Sequence, residues 1–171
     1  IMAQKKVNLV HNPSSNLKLA SGIAPVPEAL KKGVNVVLGT DGASSNNNLN
    51  LWEEINLSAF IHKGTQLNPL LINAKEALTL ATANGSAAIG NPDIGTLEVG
   101  KKADLILLDL NKPHFKPLHN IVSNLAYGAQ GSDVCMTMVD GRILYENGEY
   151  KTIDQEWVYS QMEELIERVF K

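Results

Sequence analysis

The most informative part of the 171-residue sequence reads Val34-Asn35-Val36-Val37-Leu38-Gly39-Thr40-Asp41-Gly42. Its apolar, β-branched residues predict a buried strand, and the glycines around Asp41 predict that this strand ends in a turn. An earlier apolar run, Val7-Asn8-Leu9-Val10, ends in a similar way at His11-Asn12-Pro13. Between the two runs, residues 27–32 predict a short helix, because a proline at the start suits the first helical turn. This order predicts two parallel strands joined by a helical crossover.

The segments around these strands predict loops and helices. The residues up to Gly22 that follow the first strand, and the Ser/Asn stretch after Gly42, predict polar loops. A helix is predicted at 49–63. Another is predicted from Asn73, with Glu76 as its capping-box partner, to a break at Asn84-Gly85.

The last part of the sequence has a different character. Short strands are predicted at 103–110, 134–139 and 142–145, with a two-residue hairpin turn at Asp140-Gly141. From about Asp154, apolar residues on one face predict a closing amphipathic helix. The predicted order is therefore an α/β unit, a small β-rich unit and a closing helix.

The composition excludes several kinds of partner. With 15 basic and 18 acidic side chains the net charge is −3, so there is no electrostatic reason to expect nucleic acid or an anionic membrane surface. No apolar run in the sequence is long enough for a membrane-spanning helix. The single cysteine, Cys135, rules out an internal disulfide framework. We therefore expect a globular protein of the reducing cytoplasm.

Two loops follow the predicted strands, at the edge of a parallel sheet where catalytic residues usually lie. Asp41 could ligate a divalent metal and accept a proton from water, but Asp-Gly is also a common turn, and spacing alone favours the turn. His11 could polarise a substrate oxygen or bind a metal, yet spacing alone favours a hydrogen bond within its own loop. Ser15, Asn16 and Ser45 could line a polar pocket or satisfy turn backbone groups, and their spacing does not decide between these roles.

The remaining candidates are weaker. His62 lies on a predicted helix, while His114 and His119 flank a proline in a polar connector. None of them forms a metal-binding pair such as His-x-His, so solvated structural roles are expected. Cys135 lies in an apolar strand and is expected to be a small buried residue.

Three separated motifs carry a family resemblance. They are His11-Asn12-Pro13-Ser14-Ser15-Asn16-Leu17-Lys18-Leu19, Gly39-Thr40-Asp41-Gly42-Ala43-Ser44-Ser45-Asn46-Asn47 and Gly95-Thr96-Leu97-Glu98-Val99-Gly100-Lys101-Lys102-Ala103-Asp104-Leu105. The first two resemble the late strands of amidohydrolase-superfamily barrels, and they are most similar to the 5-methylthioadenosine/S-adenosylhomocysteine deaminase branch. Relatives of that branch include guanine deaminases and triazine chlorohydrolases. The third motif, like the hairpin at Val139-Asp140-Gly141-Arg142, resembles the small β-sandwich that follows such a barrel.

This resemblance implies a fold and its division. Residues 1–93 would form the last two β/α units of the (β/α)8 TIM barrel found in metal-dependent hydrolases. Residues 94–171 would form the C-terminal part of the β-sandwich with its closing helix.

The resemblance also implies an activity, which is hydrolytic deamination of an adenosine-type nucleoside such as methylthioadenosine or S-adenosylhomocysteine. Zinc or iron would be the divalent metal. Asp41 would be a metal ligand and would accept a proton from the attacking water. His11, Asn12 and Ser45 would lie on the substrate side of the site.

The sequence departs from the family pattern in one important way. The family's His-x-His pair, its later histidines and its acidic glutamate belong to segments that this sequence does not contain. A catalytic zinc needs about three protein ligands, and Asp41 supplies one. We therefore expect a truncated chain that lacks the metal, is inactive by itself and has the N-terminal part of its own protein as partner, with a homodimer also allowed. The alternatives are a chlorohydrolase or guanine deaminase on the same barrel, or a non-catalytic isolated domain.

Overall fold

The structure is a computed structural model that describes residues 1–170. Along the chain the elements are β1 (Leu9–His11), α1 (Pro13–Lys18), α2 (Val26–Lys31), β2 (Val36–Leu38), α3 (Ala43–Asn46), α4 (Leu51–Gln66), α5 (Ala74–Ala81), α6 (Ala83–Ile89), β3 (Leu105–Leu108), α7 (Ile121–Gly128), β4 (Val134–Val139), β5 (Arg142–Glu146), β6 (Glu149–Tyr150) and α8 (Gln155–Val169). Within residues 1–170 the strands form two sheets, β1-β2 and β3-β4-β5-β6. The protein is therefore of mixed helix and sheet structure.

The first sheet is the parallel pair that the sequence predicts. Leu9 lies opposite Val36 and His11 lies opposite Leu38, with α1 and α2 in the crossover between the strands. Strand β2 is buried throughout, and α2, α4, α5 and α6 pack against it. Because the strands are parallel and in register, the loops that follow them leave from the same edge of the sheet.

The hydrophobic core lies between this sheet and the helices. Its most deeply buried members include Val26, Val36, Ile55, Ala77 and Leu80, each at most 2% exposed. They come from α2, β2, α4 and α5, so the core joins segments that are far apart in the sequence. Burial of apolar surface is the main force that stabilises such a layer. The core therefore fixes the sheet edge against α4.

Three short helices correct the sequence-based prediction. Helix α1 occupies the start of the predicted loop after the first strand, and α3 lies in the Ser/Asn stretch predicted to be irregular. The break predicted at Asn84-Gly85 is wrong in position, because the chain breaks at Thr82 and α6 then runs through both residues. The side chain of Asn84 donates to the carbonyl of Val36, so a tertiary contact outweighs the poor helix propensity of the pair.

The second sheet contains the predicted hairpin. Strands β4 and β5 are joined at Asp140 and Gly141, whose φ angles of 50° and 77° are the two left-handed values that a type I′ turn requires. Strand β4 has its predicted bounds, whereas β3 is shorter than predicted. Helix α7 lies in a segment for which no helix was predicted, and it begins at Asn120, whose side chain accepts from the N–H of Ser123.

The closing helix begins where the sequence predicts. The side chain of Asp154 accepts a hydrogen bond from the N–H of Trp157, which caps α8. Its apolar side chains, such as Met162 and Ile166, are about half exposed. Within residues 1–170, no helix combines the length and the apolar character that crossing a membrane requires.

Candidate functional site

Asp41 lies at the shared edge of the parallel strands, shortly after β2 ends. Its φ angle of 64° is left-handed, and aspartate is one of the few residues besides glycine that tolerate this conformation. The residue is exposed, although the strand before it is buried. A solvent-facing carboxylate at this edge has the position and the chemistry to bind a cation or to take up a proton.

Two serines on different helices hold the Asp41 carboxylate. The hydroxyl of Ser15 on α1 donates to Asp41 Oδ2 at 2.7 Å, and the hydroxyl of Ser45 on α3 donates to the same oxygen at 3.0 Å. Both serines are buried. We call these two bonds the serine clamp. The bond from Ser15, helped by the N–H of Gly42 and by Ser45, holds the pKa of Asp41 below its ordinary value, so the carboxylate is ionised at neutral pH.

A buried glutamate joins the two short helices that carry the serine clamp. Glu54, on the first turn of α4, is fully buried. Its Oε2 accepts from the N–H of Ser14 at 3.0 Å, and its Oε1 accepts from Nδ2 of Asn46 at 2.7 Å. Lys18 adds a second link by donating to the carbonyl of Ser44 at 2.9 Å. Glu54 could not be recognised from the sequence, because an acid in the first turn of a helix is ordinarily explained by the helix dipole alone.

The structure pairs His11 with His62 and does not bring it into the serine clamp. The two rings are buried, with their centroids 5.5 Å apart. Within residues 1–170 neither ring nitrogen of His11 has a hydrogen-bond partner, and neither does Nε2 of His62. The expected loop hydrogen bond of His11 is therefore absent from the described part of the chain, and the solvated role expected for His62 is wrong. Burial lowers the pKa of His11 to about 4 and also lowers the pKa of His62, so both rings are neutral at pH 7.

Asn12 packs against the glycine that precedes the Asp41 loop. A Cβ atom on Gly39 would lie 2.5 Å from Asn12 Oδ1 and 2.9 Å from Cγ1 of Val10. Any larger residue at position 39 would therefore have to displace Asn12. Gly39, predicted only as a turn residue, makes room for a polar side chain at the sheet edge.

The other candidates have structural contacts elsewhere. His114 Nε2 lies 2.9 Å from Oδ2 of the buried Asp133, and Lys112 donates to its Oδ1 at 2.8 Å. This contact agrees with the structural role expected for His114. Cys135 is half-buried rather than buried, with its Sγ 3.5 Å from the carbonyl of Leu107.

The described residues contain no complete metal site. Within residues 1–170, no three His, Cys, Asp or Glu side chains form a group that could hold a metal ion. Asp41 fits one ligand position, since it is an ionised carboxylate and neither serine hydroxyl covers its Oδ1. Zinc sites usually need three protein ligands. Residues 1–170 therefore offer one carboxylate that fits a ligand position and do not by themselves complete a three-ligand site.

Comparison with known proteins identifies the family. Residues 1–144 match the model of the amidohydrolase family. The chain belongs to this family. The amidohydrolase chain is 54% identical over 171 residues to the 5-methylthioadenosine/S-adenosylhomocysteine deaminase of Dictyoglomus thermophilum. The aligned region covers 100% of this chain and 40% of that protein. It is also 50% identical over 167 residues to the 5′-deoxyadenosine deaminase of Methanocaldococcus jannaschii, which covers 98% of this chain and 39% of the relative.

Solved structures of the same fold agree with this assignment. An adenosine deaminase from Xanthomonas campestris with bound zinc superposes with a TM-score of 0.93 at 35% identity, over 97% of this chain and 38% of that one. An atrazine chlorohydrolase from Arthrobacter aurescens complexed with zinc gives a TM-score of 0.89 at 29% identity, over 96% of this chain and 37% of that one. The amidohydrolase chain thus spans about 40% of the length of the relatives it matches.

Proposed function

We propose that the full-length protein is a metal-dependent hydrolase that removes the amino group from an adenosine-type nucleoside. Methylthioadenosine and S-adenosylhomocysteine are the substrates to test first, since the most similar relatives reported above carry deaminase names. The observation that carries the proposal is the Asp41 carboxylate, which the serine clamp orients at the edge of the parallel sheet and whose pKa is lowered by these bonds. The lowered pKa favours binding of a cation, and a carboxylate beside a metal-bound water also has the chemistry to accept its proton.

The two sheets are proposed to belong to two different domains of the full-length protein. We propose that residues 1–93 are the last two β/α units of a (β/α)8 barrel and that 94–171 belong to a β-sandwich with a closing helix. The parallel β1-β2 pair with its helical crossover supports the first assignment. The antiparallel order β3-β4-β5-β6 supports the second. In a barrel of this kind, the edge that carries Asp41 is the catalytic face.

The chemistry assigned to this chain centres on Asp41. A divalent ion, zinc or iron, would act as a Lewis acid that makes water a better nucleophile at neutral pH. Water adds to the ring carbon that bears the amino group, Asp41 accepts one of its protons, and the adjacent ring nitrogen takes a proton from an acid on another segment of the full-length protein. Asp41 then gives its proton to the amino group while the added hydroxyl returns a proton to that acid. The carbon–nitrogen bond to the amino group breaks, ammonia leaves, and a ring carbonyl beside a protonated ring nitrogen remains. The serine clamp binds only Oδ2, which keeps both hydroxyls away from Oδ1 during these transfers.

Three further residues belong to the substrate side of the proposal. Ser45 is in contact with Asp41, and Asn12 has a buried Oδ1 without a partner in residues 1–170 at the same sheet edge. Both could bind the nucleoside directly. His11 remains in the proposal as the residue that fixes the start of the Asn12 loop, because its ring is buried against His62.

The test is an assay of the full-length protein loaded with zinc or with iron. Ammonia release would be measured from methylthioadenosine, S-adenosylhomocysteine, adenosine and guanine, and chloride release from atrazine. Ammonia from an adenosine thioether at the highest kcat/KM supports the proposal. Preferred release from guanine, or release of chloride alone, would instead support one of the two related activities. No ammonia from any purine or nucleoside would overturn the deaminase proposal.

A further inference from the structure

We infer that Glu54 is a positioning residue for Asp41, which it serves by locking the serine clamp in place. This inference rests on the proposed function in giving Asp41 its role at the metal. Glu54 itself touches neither Asp41 nor, within residues 1–170, any other candidate site residue by a side-chain bond. It acts through helices α1 and α3, which carry the clamp serines.

The two hydrogen bonds of Glu54 fall directly beside the two serines of the clamp. One donor is the N–H of Ser14, next in sequence to Ser15, and the other is the side chain of Asn46, next to Ser45. Each bond therefore holds the chain at the residue beside one hydroxyl of the serine clamp. Both serine hydroxyls donate to the same oxygen, Asp41 Oδ2, so the geometry of the clamp depends on the relative position of α1 and α3. A single buried side chain on α4 satisfies that condition.

The two hydrogen bonds also restrict which side chain can occupy position 54. Both partners of Glu54 are donors, so each of its two oxygens must accept. Asn12, at the N-cap of α1, makes no side-chain cap bond, so Glu54 satisfies an N–H at the start of that helix. A glutamine has one acceptor and one donor group, and its NH2 would face a second donor. Position 54 therefore requires two acceptor oxygens, which a glutamate side chain supplies and a glutamine does not.

This requirement allows a sharp exchange experiment. In Glu54→Gln the introduced amide can accept from the N–H of Ser14, but its NH2 meets the NH2 of Asn46. Adding Asn46→Asp places an acceptor opposite that NH2 and restores the pair with donor and acceptor reversed. Asn46 Oδ1 already accepts from the N–H of Leu49, and a carboxylate at position 46 can keep that bond. Glu156→Gln, at an exposed position on the first turn of α8, is the matched control.

Two measurements on the full-length protein separate positioning from simple stability. Amide hydrogen exchange would be followed in residues 12–18 and 42–47, and zinc affinity would be measured by competition with a chelator. Glu54→Gln should speed exchange in both loops and weaken zinc binding about 10-fold to 100-fold, as changes behind a metal ligand usually do. The double variant should restore both properties, and Glu156→Gln should change neither. The same Glu54→Gln change made in a Ser15→Ala/Ser45→Ala protein should weaken zinc binding little further, since there is no clamp left to hold.

The outcomes distinguish this inference from the proposed function. Unchanged exchange in Glu54→Gln, or equal effects of Glu54→Gln with and without the serine clamp, would overturn it. If Glu54→Gln does not fold, the double variant is measured instead. Its failure to fold, or to bind zinc as the wild type does, would contradict the inference about Glu54. Loops that loosen in Glu54→Gln and recover in the double variant support the inference even where the wild type deaminates no nucleoside. That last result would refute the proposed function alone.

Discussion

The hydroxyl of Ser15 lies 2.7 Å from Oδ2 of Asp41, although 26 positions separate the two residues in the sequence. Ser15 follows β1 and Asp41 follows β2, and the parallel pairing of these strands brings the two loops to one edge. Ser45, four positions after Asp41, adds its hydroxyl from the second loop. The strand pairing thus turns two separate polar loops into one arrangement around a single carboxylate.

Replacing Asp41 by asparagine should remove metal binding and activity while the fold is kept. Asparagine tolerates the left-handed backbone at φ 64°, and its carbonyl oxygen can still accept from the serines. It brings no negative charge and takes no proton at neutral pH. We expect zinc affinity of the full-length protein to fall at least about 100-fold, with deamination lost in parallel. Zinc content after dialysis and ammonia release measure these effects.

The control for this substitution is Asp109→Asn, at an exposed position beyond β3. It should retain zinc and activity. Wild-type zinc content in the Asp41→Asn protein would contradict the role given to Asp41.

The two bonds of the serine clamp should differ in importance. Ser15→Ala removes the shorter hydrogen bond to Asp41. The hydrogen bond from Ser45 to Asp41 is longer, and the Ser45 hydroxyl also lies 3.2 Å from the carbonyl of Gly42. We expect Ser15→Ala to weaken zinc binding about tenfold and Ser45→Ala to weaken it less. Chelator competition on the full-length protein measures the order, with the exposed Ser44→Ala as control. An effect of Ser45→Ala equal to or larger than that of Ser15→Ala would speak against this ranking.

Local signals in the sequence predict a large part of the fold. The alternation and turn residues around Asp140 predict the hairpin, and the bounds of β4 are as expected. Asn73 and Glu76 form the capping box that begins α5. The two buried apolar runs predict the parallel pair because their residue types and the crossover length are sufficient. In each case the residues that decide the structure lie close together in the sequence.

The parts that the sequence does not reveal depend on contacts between distant segments. Helix α1 has no side-chain cap of its own, and the bond to its Ser14 N–H comes from Glu54, forty positions later. His62 looks like an ordinary helical histidine until the fold places it against His11. The location of Asp41 at the end of a buried strand could be predicted from the sequence, whereas the buried Glu54 behind the serine clamp could not.

Acid should destabilise the folded protein through the His11–His62 pair. The pKa of His11 is about 4 in the fold, whereas its ordinary value is 6.5. Between these two pH values the unfolded chain binds more protons than the folded chain. The folded state therefore keeps its full stability above about pH 6.5 and loses stability as the pH drops towards 4. His11 alone should cost about 2 kcal/mol between pH 7 and pH 5. His62, whose pKa is also lowered, adds in the same direction.

Unfolding of the full-length protein at pH 7 and pH 5 measures this effect. His11→Asn should lose less stability over that interval than the wild type, whatever its stability at pH 7. His119→Asn, at an exposed position, should lose as much as the wild type. Equal losses in the wild type and His11→Asn would mean that the pair does not control the acid response.

Replacing Asp133 by asparagine should destabilise the region before β4. Burial opposes ionisation of Asp133, but bonds from Lys112, the N–H of Gln130 and His114 outweigh it and hold its pKa below the ordinary value. An amide can accept at one oxygen only, so at least one donor loses its partner, and the charge that attracts Lys112 disappears. We expect a loss of about 2 kcal/mol in the free energy of unfolding, since Lys112 and His114 are partly exposed and regain water.

Urea unfolding at pH 7 measures the loss, with Asp109→Asn expected to change stability by less than about 0.5 kcal/mol. Because the carboxylate must be ionised to contribute, the difference between wild type and variant should shrink as the pH falls through the folded pKa of Asp133, and a difference independent of pH would contradict this explanation.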